Sequence, residues 1–395
     1  MLVEFSVQNF CSIRDRQTLS LVASKDKTFL DTHTLETKVS AVPRLLRTVG
    51  VYGANGSGKS NLLNALFVFQ WFVTTSFSRS PQDATAHMPF AFQDNGGFDL
   101  PSEFEAIFLI NGIRYQYGFR MDKSRIHEEW LLVYQTQKGQ AWFERKFQPE
   151  TGKDEYKFSE KLLGAKKVWE EATRPNALFL STAVQLNSEK LRPIFEWITQ
   201  HMSPFHVFGK DSFSTDWSKM LLSDSAAKNQ ILSFLQKCDI PVSDIHQSEN
   251  KELFFQHRVG SRNFYIPFTN ESLGTQRLFT LAGPILGVLQ RGDLAIVDEL
   301  ESSLHPLLVR RLLELFHDSK VNTKGAQLVF TTHNTQLLDQ STFRRDQIWL
   351  VEKDTSEATR LVPLTEFQIR KDLSLEKAYL DGRFGAIPIL TAAEP

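Results

Sequence analysis

Gly53-Ala54-Asn55-Gly56-Ser57-Gly58-Lys59-Ser60 matches the spacing G-x-x-x-x-G-K-S, and that spacing has a chemical use. Its glycines let consecutive backbone N–H groups wrap a row of phosphates. The Lys59 ammonium then neutralises β and γ oxygens, and the Ser60 hydroxyl is a Mg²⁺ ligand. Gly53 through Asn61 are therefore the candidate nucleotide-binding residues, with ATP and Mg²⁺ the implied ligands. A second element, Leu294-Ala295-Ile296-Val297-Asp298-Glu299, is four apolar residues ending in two acids. A strand buried on both faces reads this way, and it delivers carboxylates to the sheet edge where a phosphate loop sits. Asp298 is the candidate Mg²⁺ holder, and Glu299 the candidate base that orients and deprotonates a water. Alone, an apolar strand ending in acids at a turn is just as ordinary; the phosphate loop upstream gives it meaning. A third element places Ser272 and Gly274 just ahead of an apolar helical run, Leu278 to Leu289. A hydroxyl, bare N–H groups and a helix dipole together suit a γ-phosphate, although a plain serine N-cap looks the same.

These residues need elements to hold them. Leu46 to Tyr52 reads as a strand running straight into the phosphate loop, and Leu62, Leu63, Leu66, Phe67 and Phe69 recur at helical spacing from Ser60 to about Val73. Strand, loop, helix is the order that phosphate binding requires. Leu2 to Val7 alternates as a strand. Asn111-Gly112 divides Glu103 to Arg120 into two runs, a hairpin signal, and Trp130 to Tyr134 and Ala141 to Phe147 extend that antiparallel element. From about 151 to 250 the chain turns helical and more charged, which predicts an inserted helical subdomain between a first half (1–150) and a second half (251–395) of one head. Heptads are not sustained there, so no long coiled-coil arm is expected. The fold class that results is α/β: a mixed sheet with helices, an antiparallel β subdomain and a helical insertion.

Composition sets outer limits. The 395 residues carry 23% charged and 41% hydrophobic side chains, which fits a globular chain of one or two domains. Lys plus Arg (45) nearly cancels Asp plus Glu (46), so nucleic acid is left open by charge but not called for by it. Cys11 and Cys238 stand alone and far apart, which excludes a disulfide framework. His201, His206, His246 and His257 lack metal-ligand spacing. No run is apolar enough to span a bilayer and no basic flank marks a signal peptide, so a cytoplasmic location is expected. Most of the 32 phenylalanines belong to core packing rather than to base stacking.

Taken together, the motifs resemble those of ABC-type and SMC-like ATPases. Glu271-Ser272-Leu273-Gly274-Thr275-Gln276 resembles the signature motif, which acts on nucleotide held by the opposite subunit. Ser302-Ser303-Leu304-His305-Pro306 resembles the D-loop, a segment of the dimer face. Val329-Phe330-Thr331-Thr332-His333 ends like the switch strand, whose histidine reads the γ-phosphate; without that context a histidine after a strand is usually a satisfied structural residue. The resemblance also implies a glutamine linking Mg²⁺ and the attacking water, for which Gln93 is the candidate, against the alternative of a surface-loop glutamine.

Flanking segments narrow the likeness. Phe5 to Arg14, Arg174 to Ser181, Arg344 to Trp349 and Gly382 to Pro388 are similar to the RloA/AbiL-type ATPases of bacteria, which are commonly encoded beside anti-phage toxins or restriction genes, the PARIS and retron-associated systems included. Many relatives there carry a basic residue where Cys11 stands, so a nucleotide contact from this segment falls to Arg14 or is absent. What the resemblance implies is an ATPase pairing head to tail with a second copy of itself and regulating a co-encoded toxin or nuclease. The alternative is a DNA-binding repair ATPase of the SMC or RecF kind.

Overall fold

The computed structural model describes residues 1–92, 100–205, 215–370 and 373–388. Its centre is a six-stranded sheet in the order Met202–Phe205, Leu294–Val297, Gln327–Thr331, Thr48–Gly53, Ile348–Lys353, Thr359–Pro363. The first five strands run parallel and only the last pairs antiparallel. Continuous apolar runs such as Leu294–Val297 follow from burial on both faces. Leu294 and Ile296 join the core on one side of the sheet, and Ala295 and Val297 the core on the other.

On the first side lies the helix Lys59–Thr75, and beyond it a second sheet of seven antiparallel strands. Their order is Lys153–Phe158, Gln140–Gln148, Ile126–Tyr134, Ile113–Met121, Ser102–Ile110, Leu2–Gln8, Gln17–Ser20. Phe69 of the helix meets Phe5 edge-on at 5.8 Å and stacks on Phe119 at 5.7 Å, so the phenylalanines do serve the core. The Asn111-Gly112 turn is a two-residue hairpin with φ of 49° and 77°, the left-handed pair that an Asn-Gly sequence accepts most readily. On the far side of the parallel sheet pack the helices Leu273–Arg291 and Pro306–His317, with a small sheet of Val242–Gln247, Leu253–Val259 and Arg262–Pro267.

The stretch 151–250 differs from a purely helical insertion. It supplies short helices, the longest being Ser225–Lys237 among the described residues, but it is also spliced into the sheets. Lys153–Phe158 is an edge strand of the seven-stranded sheet, its Tyr156 and Phe158 turned onto Phe179. Met202–Phe205 pairs with Leu294–Val297 in the parallel sheet. Charged residues at alternate positions of Lys-Asp-Glu-Tyr-Lys-Phe disguise the first as a polar segment, which is how an edge strand avoids aggregation.

The segments that carry the family likeness outside the motifs are structural staples. Glu129, fully buried, accepts from Phe179 N (2.6 Å), Leu180 N (2.9 Å) and Tyr117 Oη (3.0 Å) and faces Arg145 at 3.7 Å. Asn176 Nδ2 donates to Ser80 O and Asp83 O, and Ser181 Oγ to Val73 O, tying this corner to the end of the phosphate-loop helix. Arg344 is buried, paired with Asp346 at 2.6 Å, and donates to Asp26 O and Thr28 O. Among the described residues no helix is long and apolar enough to cross a membrane, and no group of three or more His, Cys, Asp or Glu could hold a metal.

Candidate nucleotide site

The carboxyl ends of three adjacent strands, Leu294–Val297, Gln327–Thr331 and Thr48–Gly53, bring the motif residues to one edge. Gly53 ends its strand, Lys59 opens the helix, and the loop between them turns on Gly56 (φ 74°) and Gly58 (φ 108°). A cleft of about 370 Å³ over the loop is lined by Asn55, Gly56, Gly58, Lys59, Ser60, Asn61, Glu299 and His333. Residues from three separate stretches of chain thus share one small space.

Lys59 Nζ donates to Gly53 O and Ala54 O, both at 2.9 Å. Burial pushes its pKa down, while Asp298, Glu299 and Glu301 pull it back up. Asp298 accepts from Thr331 Oγ1 at 2.5 Å, and the same hydroxyl oxygen accepts from Glu299 N at 2.8 Å. One threonine of the middle strand therefore fixes both acids. Glu299 has φ 47°, a left-handed conformation that a non-glycine side chain adopts only when its surroundings impose it, and such outliers gather at functional sites. His333, exposed, lines the cleft opposite Lys59; burial and the Lys59 charge lower its pKa, which favours the neutral imidazole. Ser60 and Asp298 offer hydroxyl and carboxylate oxygens, the hard donor set that suits Mg²⁺. Ser57 Oγ is buried within the loop without a protein partner.

Other expected residues stand elsewhere. Ser272 caps the helix Leu273–Arg291, its Oγ accepting from Thr275 N at 3.1 Å, and Gly274 sits so close to the D-loop-like turn that a Cβ would lie 3.1 Å from Ser303 O. Neither lines the cleft over the phosphate loop. Arg14 is held by Asp15 (2.9 Å) and Asp354 (3.2 Å) and is likewise absent from the cleft lining. Asn61 lines the cleft, but its Nδ2 donates to Ser12 Oγ at 2.7 Å. Gln93 lies outside the described residues.

Several residues at the site carry no motif. A hydroxyl relay runs from Asn61 Nδ2 to Ser12 Oγ (2.7 Å), on to Thr359 Oγ1 (2.7 Å) and to Ser57 O (2.8 Å), bracing the loop from two distant segments. A Cβ on Gly58 would strike both Thr359 and Ser12. Arg277, buried on the core side of its helix, donates to Glu299 O at 3.2 Å; burial pushes its pKa down to about 9 against the pull of Glu299, Glu301 and Asp298, so it stays a cation beneath the acids. A second cleft of about 620 Å³ adjoins Gly53, Ala54 and Asn55, walled by Glu301, Ser302, His333, Tyr379, Leu380, Ile387 and Pro388. An arginine in register with the apolar positions Leu281, Ile285 and Val288 is a sequence signal for a buried charge; Ser12 and Thr359 give no local signal at all.

Parallel sheet, phosphate loop, paired acids and strand-end histidine, beside an antiparallel sheet, define an ABC-type P-loop ATPase head. A family model described as "AAA domain, putative AbiEii toxin, Type IV TA system" matches residues 49–339, more than half of the chain, and the chain belongs to that family. Among solved structures, the chain is similar to an SMC head domain from Thermotoga maritima (14% identity, TM-score 0.43, covering 93% of this chain and 99% of that one). It is also similar to an Smc head bound to the C-winged helix domain of ScpA (14%, 0.46, 96% and 99%) and to one from Pyrococcus furiosus with an extended coiled coil, bound to the C-terminal domain of ScpA (14%, 0.41, 97% and 98%). No curated protein matches the chain.

Proposed function

We propose that this chain is an ATP-hydrolysing switch that pairs head to tail with a second copy of itself and regulates a partner protein. The observation that carries the reading is the convergence of Lys59, Ser60, Glu299 and His333 on one small cleft, with Thr331 fixing both acids. In this reading the loop from Gly53 to Asn61 cradles the phosphates of ATP, and Lys59 swings from the Gly53 and Ala54 carbonyls to the β and γ oxygens. Ser60 and Asp298 would hold Mg²⁺, which would supply charge neutralisation there. Glu299 takes a proton from the attacking water, and neutral His333 donates to the γ-phosphate.

Ser272 is exposed at the N-terminus of a 19-residue helix, Gly274 is half-buried against the Ser303 carbonyl, and neither lines the cleft of its own chain. They therefore complete the site of a partner copy, where helix dipole and backbone N–H groups favour the γ-phosphate. ATP then joins two heads, and hydrolysis separates them. The segment 151–250, between head halves 1–150 and 251–395, transmits the state, because it is wired both to Leu294–Val297 and to the end of the phosphate-loop helix. The partner proposed is a co-encoded effector, a toxin or nuclease, in anti-phage defence; this rests on the resemblance of the flanking sequence segments, and the family's description, which attaches the name of a putative toxin to the matched domain itself, is a loose hint of a defence setting only.

Phosphate release by purified protein, compared with Glu299→Gln, tests the reading. Turnover that falls at least a hundredfold in the variant supports it; equal rates would reduce ATP to a structural clamp.

A further inference from the structure

Two residues beyond the proposed base stands a third acid that the ATP reading leaves without a task. Glu301 lies in the turn after the strand Leu294–Val297, where Leu300 N bonds Thr331 O at 3.1 Å and Leu304 N bonds Glu301 O at 2.7 Å. Its Oε1 accepts the backbone N–H of His333 at 2.5 Å. The base turn and the histidine loop are thus joined twice: Thr331 holds Glu299 and Asp298 in place, and Glu301 reaches back to hold His333.

The second oxygen of the same carboxylate, Oε2, is buried and has no protein partner, and its charge acts on Lys59, Arg277, His333 and the buried Tyr52. A desolvated carboxylate oxygen left without a partner is costly, and a residue needed only to fill space would be apolar or an amide. Glu299 and His333 line both the 620 Å³ cleft and the smaller one over the phosphate loop, and Glu301 lines the larger. Where the His333 backbone is held therefore sets where its imidazole stands between the two clefts.

We infer that Glu301 is a positioning residue for hydrolysis: its carboxylate oxygen pins the backbone of His333 so that the imidazole faces the phosphate loop, and it takes no part in holding nucleotide. This rests on the ATPase reading above. A misplacement of about 1 Å at a reacting centre can cost on the order of a hundredfold, whereas nucleotide affinity comes from the loop itself.

The test compares Glu301→Ala, Glu301→Gln and Glu301→Asp with wild type, measuring steady-state phosphate release and, on the same samples, the dissociation constant of a fluorescent ATP analogue. Glu301→Ala should lower kcat by roughly ten- to a hundredfold with KM and nucleotide affinity within about threefold. Glu301→Gln keeps an oxygen acceptor at the same reach and should retain most of the rate; Glu301→Asp, one methylene short, should behave like the alanine variant. Unchanged kcat in Glu301→Ala, or an equal loss in the alanine and glutamine variants, overturns the inference while leaving the ATPase reading intact. Wild-type phosphate release no higher than that of Lys59→Ala removes both.

Discussion

The phosphate loop is braced by a threonine 302 residues away, and removing that one hydroxyl should weaken ATP binding without touching the motif. Thr359 Oγ1 donates to Ser57 O at 2.8 Å and accepts from Ser12 Oγ at 2.7 Å, with Thr359 and Ser57 both buried. Thr359→Val preserves shape and removes both bonds. Each is worth about 1 kcal/mol net, so the loop loses about 2 kcal/mol of its organisation, plus whatever the stranded Ser57 carbonyl adds. If the whole cost falls on the loop, nucleotide affinity drops roughly thirtyfold. Thr359→Ser keeps the hydroxyl and should bind within about threefold of wild type. Titration of a fluorescent ATP analogue with EDTA present isolates the loop from the metal. Valine binding as well as wild type, or serine losing as much as valine, would refute the brace. Gly58→Ala offers a second route to the same defect, since the new methyl would displace both hydroxyls and strain a residue at φ 108°.

Further outcomes follow from buried charge. His317 stacks on His33 at 3.7 Å and bonds Thr48 at the foot of the phosphate-loop strand; burial first, then the charges of His33 and Arg47, holds its pKa well below the ordinary value. The unfolded chain then binds more protons below pH 6.5, so the stability is fully present above that pH and is lost as pH falls. The unfolding free energy should decline by up to about 1.4 kcal/mol per pH unit below 6.5, and His317→Gln should flatten that slope. Glu129→Ala strands Tyr117 Oη and two backbone N–H groups and removes one of the two acids beside Arg145, which keeps Asp154 at 2.8 Å; it should cost about 3–5 kcal/mol in urea unfolding, whereas Glu129→Gln should cost clearly less. A mobility shift of DNA at low salt by ATP-loaded Glu299→Gln would favour the DNA-binding alternative; none is expected from a chain of net charge −1.

The legible parts of the molecule were those in which one residue pattern has one physical use. Asn111-Gly112 had to be a left-handed turn, Leu294–Val297 had to be covered on both faces, and Gly53 to Ser60 had to join strand to helix. What escaped was set by tertiary neighbours. Thr359 and Ser12 are ordinary hydroxyls until the strand Thr359–Pro363 lies beside the loop. Lys153–Phe158 looked polar because half of an edge strand faces water.

In the proposed dimer, Lys59 of one chain and Ser272 of the other complete one site. Sedimentation velocity of the Glu299→Gln protein with Mg-ATP measures that pairing. Dimer is expected with ATP, monomer without it, and monomer in both conditions once Lys59→Ala or Ser272→Arg is added. A Lys59→Ala protein that dimerises with ATP like its parent, or a Glu299→Gln protein that stays monomeric with ATP, would contradict that shared site.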